Sequence, residues 1–189
     1  MNEKTKKIVG LGLLTAIVIV LQAMALSVRF GVFTITLVLA PIVIGAALYG
    51  YLAGAWLGFV FGVIVLLTDA GAFLAINVPG TIVTCILKGV MAGACAGFVY
   101  KALEKKNSTV AVITSGIVAP IANTGIFLLG CSVFFYGTIK EWGAAAGFDN
   151  AFAYMITAFV GLNFVIELLV NLILSSAIVR IIKYVNKTK

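Results

Sequence analysis

The stretch PGTIVTCILKGVMAGACAGFVYKA, residues 79–102, decides what kind of protein this is. It is long enough to cross the hydrocarbon core of a bilayer as one helix, which takes about 20 residues. Ahead of Lys101 it holds a single charge, Lys88. Gly89, Gly93 and Gly97 recur at every fourth position, with Ala92 and Ala96 beside them. Residues four apart share a helix face, and small side chains on that face let two backbones approach closely. Lys101, Lys105 and Lys106 then close the stretch, as basic residues close the cytoplasmic end of a span.

The same pattern extends in both directions. Apolar segments at 8–28, 32–49, 52–68, 79–102, 109–135 and 151–182 predict an all-α integral membrane protein, six transmembrane helices in one bundle. Hydrophobic residues make up 63% of the 189 positions and charged residues 10%, with a mean hydropathy of +1.22. A soluble surface needs roughly a quarter charged residues, so a water-facing globular domain is excluded. The expectation is a single membrane domain over residues 1–189. A second glycine series, Gly45, Gly50, Gly54, Gly58 and Gly62, runs through spans two and three and reads as helix packing.

Charge sets the orientation. Lys4, Lys6 and Lys7 precede span one, Lys101, Lys105 and Lys106 follow span four, and Arg180, Lys183, Lys187 and Lys189 close span six. With six spans, these ten of the thirteen basic residues share one side, which puts both termini in the cytoplasm. The net charge of +7 therefore belongs to span ends beside the lipid membrane, and no nucleic-acid partner is expected. Cys85, Cys95 and Cys131 lie inside spans without paired spacing, and histidine is absent. Structural packing of the thiols is the reading, with no metal site and no cofactor. The first span runs on through Gln22-Ala-Met-Ala-Leu26 without a small-residue cleavage site and reads as retained.

Polar groups inside hydrocarbon are costly unless satisfied, so each is a candidate for function. Thr81, Thr84 and Lys88 share one face of span four, and Asn163, Glu167 and Asn171 one face of span six. Asn123 follows Pro120 in span five. At about 1.5 Å per residue, Lys88, Asn123 and Asn163 lie roughly 13, 18 and 17 Å below the outer ends of their spans. These heights can meet in a polar pocket among spans four to six. Two readings of Lys88 stand: a ligand-holding cation, or an intramembrane ion pair with Glu167 that ties helices together. The asparagines likewise serve either a ligand or helix–helix hydrogen bonds. Arg29 and Asn77 sit in the outer loops at the mouth, with Phe30, Phe33 and Phe73 as interface anchors or a lid, and Phe127 can stack on a flat ring.

In span one, Gly12 and Ala16 form a small-x-x-x-small pair flanked by Ile8 and Ile19. It packs internally or docks another membrane subunit. No phosphate loop, Ser-His-Asp set or zinc-binding helix motif is present, so nothing here couples transport to ATP hydrolysis and no enzyme is indicated. A polar pocket without an engine suggests a binding subunit that borrows energy from a partner. A stand-alone channel or facilitator is the rival of another class.

At this point the chain resembles the substrate-binding S-components of energy-coupling-factor (ECF) vitamin transporters over nearly its whole length. The resemblance rests on size, the six-span layout, Gly12-x-x-x-Ala16, the segment LAPIVIGAALYGYLAGAWLG (39–58) and LKGVMAG (87–93). It implies high-affinity capture of a small water-soluble vitamin at the cell membrane of a bacterium or archaeon. It also implies docking, through Gly12 and Ala16, on a transmembrane coupling (T) subunit driven by two cytoplasmic ATPases, with binding roles for Lys88, Asn123 and Asn163. Thr84, Glu167, Arg29, Asn77 and Phe127 complete the candidate substrate-binding set. Lys88, with Arg29 at the mouth, favours a carboxylate such as pantothenate. Riboflavin is the alternative, because Phe127, Phe134 and Tyr136 could stack on it. Phe33-Thr-Ile-Thr-Leu-Val-Leu39 replaces the Asp-Phe-Ser-Asp type of segment associated with riboflavin-binding members.

Overall fold

In hydrocarbon, backbone polar groups must be satisfied within the segment, and a mostly apolar chain does this as helix. A computed structural model describes residues 2–25, 29–30, 33–34 and 37–187. They form α1 (Glu3–Ala25), a two-residue antiparallel pair β1 (Arg29–Phe30) and β2 (Phe33–Thr34), α2 (Leu39–Tyr49), α3 (Tyr51–Thr68) and the short α4 (Gly71–Leu74). Next come α5 (Val78–Leu103), α6 (Ser108–Phe134), α7 (Tyr136–Ala145), α8 (Ala151–Tyr154), a π-helical turn (Met155–Phe159) and α9 (Gly161–Lys187). Asparagines start three of them. The side chains of Asn77, Asn107 and Asn150 accept bonds from backbone N–H groups in the first turns of α5, α6 and α8, donors that would otherwise have no partner.

Among the described residues, five segments are long and apolar enough to cross a membrane: 4–24, 51–68, 78–103, 108–134 and 151–182. They correspond to expected spans one, three, four, five and six. Span two differs. Against the expected helix over 32–49, the helix among the described residues is Leu39–Tyr49, 11 residues or about 16 Å. Before it, β2 takes Phe33 and Thr34, and Pro41 suits the first turn of a helix that begins at Leu39. This short helix is the best enclosed of all, with Leu39 to Val43 buried, against α1, α3, α5, α6 and α9. Gly50, at φ 94°, turns the chain directly from α2 into α3, a left-handed conformation that suits glycine.

The tightest contact joins α3 and α5. A Cβ on Gly58 would strike the carbonyl of Gly89, and one on Gly89 the carbonyl of Gly58. Gly54 and Gly93 face each other in the same way, and Gly62 lies on the carbonyl of Cys85. Gly54, Gly58 and Gly62 of one series and Gly89 and Gly93 of the other are thus one interface seen from its two sides, while Gly45 packs on Leu57 and Leu14. Around it lies a core including Val18, Leu39, Ile42, Leu57, Phe61, Ile178 and Ile182. A second cluster, centred on Cys131, Phe135, Ile139 and Met155, sits where α6, α7 and α8 meet. The three cysteines are free thiols, Cys85 and Cys131 buried.

α6 is hinged by Pro120, which withdraws the bond to the carbonyl four residues earlier. Ser115, one turn away, ties α6 to α5 by donating to the carbonyl of Ala96 at 2.9 Å or to Ala111 at 2.8 Å. A branched side chain forced between α3 and α5 must separate two backbones, so Gly58→Val is expected to cost about 3 kcal/mol or more. Gly125→Ala, where a Cβ meets nothing within 4 Å, is expected to be neutral. Thermal unfolding of both variants in detergent checks the pair.

Candidate functional site

α5 and α6 run antiparallel, and three contacts fix their register. Thr84 packs on Gly130, where a Cβ would collide with the threonine side chain. One turn deeper, the Lys88 ammonium lies over the ring of Phe127, 5.2 Å from its centroid. Deeper again, Ser115 reaches the carbonyl of Ala96. The same register carries Asn123, one turn along α6 from Phe127, below Lys88. The polar face of α5 at Thr84 and Lys88 therefore packs on the Phe127–Gly130 turn of α6.

α3 supplies a second ring beside Lys88. Lys88 also lies over the ring of Phe61, 5.6 Å from the centroid, and a cation between two ring faces is stabilised by their quadrupoles. Among the described residues no ion pair between Lys88 and Glu167 is observed. The lysine is half-buried between rings. Thr84 Oγ1 and Asn123 Oδ1 are buried and make no hydrogen bond among the described residues. A buried polar atom left so costs about 1–3 kcal/mol, which a bound polar molecule would recover.

α9 packs on α6 and α2. Glu167 and Asn171 are almost fully buried, and Asn171 Nδ2 donates to the Glu167 carbonyl at 2.9 Å. Ser175 donates to the Asn171 carbonyl at 2.7 Å and faces Gly116 of α6. Asn163 is half-buried in the first turn of α9, just after the π turn. Asn123 and α9 thus border the same helix, α6, but no hydrogen bond among the described residues joins Asn163 or Glu167 to Lys88.

Above the lysine lies an aromatic cap. Phe73 of α4 meets Phe127 at 5.9 Å, Phe135 at 4.9 Å and Trp142 at 5.8 Å, in each case edge to face. Phe127 therefore belongs both to the lysine contact and to the cap, and Phe73 turns inward. The cap joins the loop before α5 to the helix after α6. The side chains of Arg29, Phe30 and Phe33 lie outside the described residues; β1 and β2 pair Arg29 with Thr34 and Phe30 with Phe33. Asn77 caps α5, its Oδ1 accepting from the Gly80 N–H at 3.0 Å.

Sequence reasoning did not single out Phe61 or Gln22. Gln22 is fully buried in α1 and its Nε2 donates to Asp69 Oδ2 at 2.9 Å, at the end of α3. The lone amide in an apolar span was the available signal; for Phe61, placed one residue before Gly62 of the packing stripe, none stood out. The Gly12 strip is now placed. A Cβ on Gly12 meets nothing within 4 Å, and Ala16, Ile8 and Ile19 are exposed. The packing glycine of α1 is Gly10, against Tyr49.

A family model described as "ECF transporter, substrate-specific component" matches residues 6–179. The chain belongs to that family. No curated protein and no solved structure matches. As an S-component it is a substrate-binding transporter subunit and not an enzyme, and membership implies a small-molecule substrate and association with the T and ATPase modules of an ECF transporter. The capping bond gives Asn77 a structural role that can be measured in this S-component without cargo. Asn77→Ala is expected to cost about 1 kcal/mol, and Asn77→Asp to retain most of the stability, read as the unfolding midpoint of the ligand-free protein.

Proposed function

We propose that this S-component is the high-affinity subunit for uptake of a water-soluble vitamin, pantothenate in preference to riboflavin. The observation that carries the choice is Lys88, held between Phe61 and Phe127 with no ion-pair partner among the described residues. A half-buried cation in that position suits a carboxylate, and Thr84 and Asn123, with hydrogen-bonding capacity to spare, suit the amide and hydroxyl groups of pantothenate. The proposed site is Lys88, Thr84, Asn123 and Phe127 in the centre, Asn163 and Glu167 on the α9 side, and Arg29 and Asn77 at the mouth. The aromatic cap around Phe73 supports a lid. Riboflavin keeps one favourable observation, the ring surface at Phe127 next to Phe73.

Binding of pantothenate and of riboflavin to the ligand-free protein, by titration calorimetry, tests the choice. Pantothenate is expected to bind, and Lys88→Gln to weaken it about ten- to a hundred-fold, the worth of a charge-assisted hydrogen bond. Riboflavin binding that survives Lys88→Gln would overturn it.

The proposal includes six membrane passages as one domain, with α2 as the short second passage and both termini in the cytoplasm of a bacterial or archaeal cell. The shared side of ten basic residues supports this. It further includes docking of the exposed Gly12–Ala16 strip on the T subunit, with two cytoplasmic ATPases behind it. Small residues on an unpartnered helix face permit close approach of another helix. Gly12→Leu with Ala16→Leu is expected to leave vitamin binding within about two-fold and to abolish uptake by the full complex in liposomes. Uptake by the isolated subunit would instead favour a facilitator.

A further inference from the structure

We propose that the S-component carries a site for one anionic glycerophospholipid between α6 and α9, at the end of the bundle remote from the aromatic cap. A groove of about 480 Å³ opens there, lined by Thr109 and Ile113 of α6 and by Leu172, Ser176, Val179 and Arg180 of α9. Its two ends differ in chemistry. Thr109, in the first turn of α6, and Arg180, in the last third of α9, form a polar end. Ile113, Leu172 and Val179 form an apolar wall.

Three features select the occupant. The groove lies between two segments that are long and apolar enough to cross a membrane, and the neighbouring Val110, Leu169 and Ile173 are exposed, so its wall continues a surface made for acyl chains. Its polar end is cationic. Arg180 is exposed and makes no ion pair among the described residues. Lys105 and Lys106 stand just before α6, and Lys101 ends α5, against one acid in that turn, Glu104. Finally, the polar end coincides with the start of α6, whose dipole is positive there. Arg180 and the Thr109 hydroxyl can donate to the phosphate while one acyl chain follows Ile113, Leu172 and Val179. Basic grooves between membrane helices hold anionic head groups on this principle. Ser175 takes no part, because its hydroxyl is turned inward to the Asn171 carbonyl.

Native mass spectrometry of the detergent-purified full chain, with added phosphatidylglycerol or phosphatidylcholine, tests the proposal. One phosphatidylglycerol is expected to be retained in preference to phosphatidylcholine, and millimolar inorganic phosphate should not displace it. Arg180→Gln should lower retention about five-fold. Lys105→Gln with Lys106→Gln, which removes more charge outside the groove, should lower it less. Ile113→Trp fills the apolar end, leaves Arg180 in place and should also expel the lipid, which keeps the test decisive if Arg180→Gln folds poorly. Equal retention of phosphatidylcholine, displacement by inorganic phosphate, or retention unchanged in both groove variants would overturn the site.

Discussion

Two helices touching backbone to backbone set the geometry of everything around them. In lipid no hydrophobic effect drives helices together, so association depends on close packing and on polar contacts between them. Gly54, Gly58 and Gly62 of α3 meet Gly93, Gly89 and the Cys85 carbonyl of α5 with no side chain between. Because this approach is so close, Phe61 of α3 comes over Lys88 of α5. A wider separation would leave the ammonium without that ring. The packing stripe and the Phe61–Lys88 contact are thus neighbouring faces of one helix pair.

On the other side of α5, α6 is held by different means. Gly130 admits Thr84, Phe127 receives the lysine, and Ser115 adds a hydrogen bond across the helices near the proline. The three contacts are spread from Gly130 to Ser115, so α6 is aligned over much of its length. The aromatic cap then joins α4 to α6 and α7 through Phe73. Access from that end has to separate rings that pack edge to face. From α1, the Gln22–Asp69 hydrogen bond reaches the residue that ends α3, two positions before α4.

Much of this was legible in residue order. Four-residue spacing of glycine announces a close helix face, and Lys88, the one charge ahead of Lys101 in that span, marks a candidate position. Side-by-side placement of Thr84 and Lys88, and of Asn123 and Phe127, follows from helical period alone. What the pattern could not supply is which helix stands opposite. Spacing put the polar face of span six at a height that could meet Lys88; α9 packs on α6 and α2, and the second ring beside Lys88 comes from α3. Hydropathy also did not separate β2 from α2 within span two, because an apolar run rich in Val, Ile and Thr scores alike whether extended or helical. Gly12 and Gly10 look equivalent in sequence; only the position of Tyr49 separates the buried one from the exposed one.

The π-helical turn at Met155–Phe159 has a consequence for how the last segment counts its residues. Its inward positions run Ala151, Met155, Val160, then Glu167, Asn171, Ser175, Ile178 and Ile182. Steps of three and four hold from 167 onward, while one step of five spans the turn. A π turn holds one residue more than the α-helix it replaces, and one residue is a rotation of about 100°. The first quarter of the segment, from Ala151 to Phe159, therefore keeps a different phase from the rest. A relative lacking a single residue here could preserve both inward faces with one unbroken helix, and the gap would mark a change of winding and not a lost contact.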